Sequence, residues 1–131
     1  MRLFQLISFT YEKLFYSIYA VVSKGEKESP TTTSIIILSF VHFLNIFEIA
    51  IILAIFTGFP LTSYVNKIST IILGFVCILI NSIILYSHKR HKRIIIKLKD
   101  RNVSLKFSWF YILFSILLIF ILAPLLHSMQ G

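Results

Sequence analysis

Three apolar stretches, Ile35–Phe56, Ile68–Ser87 and Phe107–Leu126, dominate the pattern of the chain. Each approaches the ~20 residues that an α-helix needs to cross a bilayer core. The stretch ahead of them, Met1–Val22, follows a different pattern. At 100° per residue, Leu3, Ile7, Leu14, Ile18 and Val21 share one face, flanked by Phe4, Tyr11, Phe15 and Val22. Arg2, Gln5, Glu12 and Lys13 lie opposite, the pattern of an amphipathic helix lying in the membrane surface. The polar segment 23–33 contains Gly25 and Pro30 and reads as a linker, with Thr33 or Ser34 available to cap the first span. A short turn around Gly58 and Pro60 makes the first two spans an antiparallel hairpin. The pattern therefore predicts an all-α membrane protein. Three transmembrane helices (35–56, 68–87 and 107–126) within a domain 34–131 follow an N-terminal interfacial amphipathic helix over 1–22.

A fourth span over the leader is the rival arrangement. It would place Glu12 and Lys13 near mid-bilayer, where a charge costs roughly 2.5–3.5 kcal/mol on the lenient scale. A signal peptide is also not expected, because Gln5 interrupts the apolar run and no small-x-small cleavage site follows.

Composition agrees with that architecture. Of 131 residues, 57% are hydrophobic and five are acidic, against ~45–50% apolar in a soluble domain. The net charge of +8 is concentrated between the last two spans, in segment 88–106. Lys89, Arg90, Lys92, Arg93, Lys97, Lys99, Arg101 and Lys106 are eight of the thirteen Lys and Arg residues. A basic block between spans stays on the cytoplasmic face. With Arg2, Lys13, Lys24 and Lys27 it puts twelve cations inside and Lys67 alone outside. The expected topology is N-terminus in and C-terminus out. The same cations are expected to bind anionic headgroups. Nucleic acid is not the expected partner, since the aromatic residues sit in or beside apolar segments and form no exposed stacking platform. Cys77, the single cysteine, lies inside the second span and allows no intrachain disulfide.

Candidate chemistry is confined to the spans. His42, Asn45 and Glu48 follow one another at steps of three through the first span. An ionisable group at that depth is a functional candidate. The alternative is interhelical hydrogen bonding that fixes packing, at ~0.6 kcal/mol each. Thr70, Gly74, Cys77 and Asn81 form a small or polar stripe on the second span, expected to be its packing face. A rise of 1.5 Å per residue places His42, Asn81 and Ser115 at one depth, as a three-helix cluster, and Glu48 level with Gly74 and Phe120. No donor in the chain matches Glu48. It is therefore expected to face a second copy, a partner subunit or a wet pore. His88 and His91 have a spacing that one helical face can present to a metal, but four cations surround them and no Cys or carboxylate completes a set. No metal or cofactor is expected. Asn102, Val103 and Ser104 form a glycosylation sequon, idle on a cytoplasmic loop. A Gly-rich phosphate loop, a CxxC pair and a nucleophile elbow are all missing, and a lone carboxylate is no catalytic constellation.

The leader YEKLFYSIY, the FLNIFEI of the first span and NSIILYSHKRHKRIIIKLKD resemble small three-span membrane proteins of Bacteroidota. The resemblance lies in composition and layout over most of the chain. It implies a bacterial inner-membrane location and carries no activity or site residue with it. The expected function is that of a non-enzymatic membrane protein, a homo-oligomer or an accessory subunit of a membrane assembly. The alternative is an oligomeric channel, pore or membrane-disrupting effector lined by polar groups of the first span.

Overall fold

The computed structural model describes residues 2–25, 28–101 and 106–130. Among them the chain is almost entirely helical, with no strand. Helices α1 (Arg2–Gly25), α2 (Pro30–Thr57), α3 (Leu61–Tyr64), α4 (Lys67–Tyr86), α5 (Arg90–Arg101) and α6 (Lys106–Gln130) follow in order. Three of them, α2, α4 and α6, are long and apolar enough to cross a membrane.

The long helix α2 is the hub, with α1, α4 and α6 all packed on it. It starts at Pro30, five residues ahead of the expected boundary. Proline suits a first turn, where its missing N–H would have no intrahelical partner. Ser34 is therefore already inside the helix, its Oγ donating to the Pro30 carbonyl at 2.6 Å, and neither it nor Thr33 is at the cap. At the other end Gly58 adopts φ 76° and its N–H reaches the Ala54 carbonyl at 2.8 Å, the left-handed cap that glycine provides without Cβ strain. Asn66 and Ser69 then form a reciprocal capping box that starts α4.

Two elements depart from the sequence expectation. Of the segment expected as a linker over 23–33, residues 23–25 belong to α1 and 30–33 to α2. Over Arg90–Arg101 the expected basic loop is instead an amphipathic helix, α5. Its Ile94 and Leu98, one turn apart, are buried beside Leu14, Phe15 and Ile18 of α1 and Leu85 of α4. Between α4 and α5 the chain turns at His88 and Lys89, whose φ values are 53° and 55°. This break takes His88 and His91 off any shared helical face. Arg101 closes α5 and Lys106 opens α6, whereas the sequon lies outside the described residues.

Helix α1 splits its expected apolar face. Leu14, Phe15 and Ile18 are buried in the bundle, while Leu3, Phe4, Leu6, Ile7 and Val21 stay exposed. Glu12, expected on the free polar face, instead turns toward α5. Its carboxylate lies 3.6 Å from Arg90 and 3.2 Å from Lys97.

Candidate functional site

Polar side chains inside the bundle gather in two clusters, both built on α2. The first lies where α1, α2 and α4 meet. Asn81 is its centre: the amide nitrogen donates to Ser39 Oγ at 3.0 Å and to His42 Nδ1 at 3.1 Å, and its oxygen accepts from the Tyr11 hydroxyl at 2.8 Å. An amide N–H pointing at Nδ1 requires the imidazole proton on Nε2. The Tyr11 ring stacks on His42 with centroids 5.6 Å apart, and the Arg90 guanidinium lies 5.7 Å over the same ring. Burial pushes the Tyr11 hydroxyl up to about 12, with Arg90 opposing the shift.

The second cluster joins α2 to α6. The Asn45 amide nitrogen donates to the Tyr111 hydroxyl, and its oxygen accepts from Ser115 Oγ at 3.0 Å. Ser115, expected beside His42 and Asn81, pairs instead with Asn45, one turn further along α2. Counted from the apolar edges at Ile35 and Phe107, Ser115 comes level with Phe43, so α6 is offset along α2 toward Asn45. His42 and Asn45 are thus neighbours in sequence that serve different helices.

Glu48 sits one turn beyond Asn45 and is 6% exposed. Its Oε1 has no hydrogen-bond partner among the described residues. The expectation that it faces a second copy does not fit this geometry, since the side chain is enclosed within the protomer. His42, Tyr11 and Tyr111 line one cavity of about 330 Å³, whose lining does not include Glu48.

The small-residue stripe on α4 divides in two. Cys77 and Asn81 are buried against α2, with Ser39 Oγ reaching the Cys77 carbonyl at 3.4 Å. Thr70 and Gly74 line an open furrow, and a Cβ at Gly74 would meet nothing within 4 Å. Phe43 and Thr70 border both this furrow, of about 210 Å³, and an adjoining cleft of about 380 Å³ walled by Phe47, Ile51 and Ile119. Sequence reasoning identifies the stripe but not its division into a buried part at Cys77 and Asn81 and an open part at Thr70 and Gly74.

At the basic end, Lys89, Arg90, Lys92, Arg93, Lys97 and Lys99 surround α5, and Lys106 is exposed at the start of α6. His91 Nδ1 lies 3.0 Å from the Leu85 carbonyl, and its ring meets Tyr86 edge-on. Neither Tyr11 nor Tyr111 stands out in the sequence as a partner of the polar span residues. Their only signal is position near a basic boundary, which reads equally well as an aromatic belt. Comparison with protein-family models, curated proteins and solved structures finds no match to this chain.

Proposed function

We propose that the chain is a small, non-enzymatic integral membrane protein that acts through assembly, with copies of itself or as an accessory subunit of a larger complex. In this reading it lies in a bacterial inner membrane with its N-terminus and α5 on the cytoplasmic face, its C-terminus outside, and α1 docked at the interface. The observation that carries the reading is the open furrow at Gly74. Small residues let helix backbones approach closely in lipid, where dispersion contacts replace the hydrophobic driving force. The inner half of the α4 stripe is used within the protomer, and the outer half, Thr70 and Gly74, is left for a helix from another chain.

The test is Gly74→Leu. A Cβ there meets no neighbour in the protomer, so the fold should survive while the furrow fills. Oligomer size in detergent and in lipid should fall relative to wild type. An unchanged size for Gly74→Leu would overturn the assembly surface.

A second reading is favoured by one observation, the unpartnered Glu48 Oε1. Intramembrane carboxyls of this kind mark ion or proton pathways. Flux across liposomes that Glu48→Gln alters, at unchanged oligomer size, would select the channel.

A further inference from the structure

The end of α4 and the face of α5 enclose a groove of about 800 Å³. Ile83 and Ile84, in the last turn of α4, and Ile94 share its lining with His88, Arg90, Arg93 and Lys97. On a helix of 100° per residue, Arg93, Lys97 and Arg90 fall within a 60° strip beside the buried Ile94. Among the described residues Glu12 is the only acidic group in the lining, and Arg90 and Lys97 already share it. Arg93 makes no ion pair or hydrogen bond among the described residues.

We propose that this groove is a discrete binding site for an anionic phospholipid, with the phosphate held by Arg93, Lys97 and Arg90 and the first acyl methylenes lying on Ile83 and Ile84. The proposal rests on the placement of α5 at the membrane surface. It goes further by choosing between cations: a diffuse basic surface attracts headgroups through every exposed Lys and Arg alike, whereas a groove uses only those that line it. Three positive charges against one carboxylate leave an excess that a phosphate neutralises. The guanidinium of Arg93, planar and forked, suits bidentate contact with phosphate oxygens. Apolar and cationic residues share one lining, as acyl chain and phosphate share one lipid. A soluble anion would leave Ile83 and Ile84 uncovered. Lys92 and Lys99 carry equal charge but project from a different part of α5, at least 100° from Arg93 on the same helical count.

The experiment titrates phosphatidylglycerol and phosphatidylcholine onto the full chain in detergent and reads bound lipid by native mass spectrometry. The proposal expects preferential retention of phosphatidylglycerol, an affinity about fivefold lower for Arg93→Gln, and a change under about twofold for Lys99→Gln. Equal losses for the two variants reduce the site to diffuse attraction and overturn it. No loss for either does the same, as does ready displacement of the lipid by excess inorganic phosphate. Detergent micelles have no inside or outside. The titration therefore reads the groove even if α5 lies on the opposite face of the membrane, an error that cysteine labelling would expose separately.

Discussion

Tyr11 and Asn81, seventy residues apart, share a 2.8 Å hydrogen bond that ties α1 to the second membrane-length helix. The bond closes the donor and acceptor requirements of Asn81, whose amide nitrogen is taken by Ser39 and His42. Tyr11→Phe leaves the ring in place but orphans one amide oxygen. It should destabilise the protein by about 1–2 kcal/mol. The loss should appear as faster proteolysis of α1 and a lower midpoint of thermal unfolding in detergent.

The same residue gives a pH dependence with a defined sign. Burial raises the Tyr11 hydroxyl to about 12 from its ordinary value of 10.0. The folded state therefore holds this proton more tightly than the unfolded state. The stability linked to it is fully present below pH 10 and is lost as pH rises toward 12. Docking of α1, followed by protease protection, should weaken across that window. Tyr11→Phe should remove this component.

Glu12 sets up a test of how α5 is held. It is the carboxylate common to Arg90 and Lys97, with 14% of its side chain exposed. Glu12→Gln removes two attractions of the partly screened kind, worth about 1 kcal/mol or less each. Glu12→Lys puts a third cation against them and should free α5 from α1. Tryptic cleavage within 89–99 should be slightly faster for the first variant and much faster for the second. Equal resistance in all three proteins would mean that Ile94 and Leu98 hold α5 without help from the charges.

Membrane sidedness is tested by cysteine labelling. In the N-in, C-out arrangement, Ser128→Cys should react with an impermeant reagent from outside and Lys92→Cys should not. Native Cys77 is buried and gives a low background. Reversed labelling would invert the orientation of the whole bundle while leaving its internal contacts intact.

Periodicity alone identifies the three membrane-length helices, because an uninterrupted apolar run of that length fits a bilayer core and leaves no polar face for water. It is less informative wherever two elements must meet. The run 90–101 reads as a charged loop, because its cations mask the pair Ile94 and Leu98, which becomes meaningful only once α1 and α4 are there to cover it. Glu12 reads as solvent-facing until α5 folds back across 85 residues of sequence. Depth matching pairs Ser115 with His42 because it counts from the apolar edge of α2 at Ile35. Helix α6 is offset along α2 from that count, and the neighbour of Ser115 is Asn45, further from Ile35. The polar residues of the spans are thus legible individually, whereas their partners depend on helix offsets that hydropathy does not encode.

Glu48 gives the sharpest test, and the structure changes its expected outcome. From sequence alone, an apolar replacement should weaken assembly, because the carboxyl has no visible partner in its own chain. In the folded protomer the side chain is enclosed at 6% exposure with Oε1 unpaired among the described residues. An orphaned buried polar atom costs about 1–3 kcal/mol, and replacing it with an apolar group of similar shape removes that cost. Glu48→Met, close in volume, should therefore raise the thermal midpoint of the isolated protomer. Glu48→Gln should leave it nearly unchanged, since an amide in the same pocket is also incompletely satisfied. The assembled protein in lipid discriminates further. If Glu48→Met is stabilised as a protomer yet loses ion flux, the carboxyl is kept at a cost to stability because it handles ions or protons. If the variant is stabilised and assembles and conducts like wild type, Glu48 is a tolerated residue and has no part in any flux. Destabilisation of the protomer by Glu48→Met would show that Oε1 already has a partner, a buried water being the simplest for an atom enclosed one turn from Asn45.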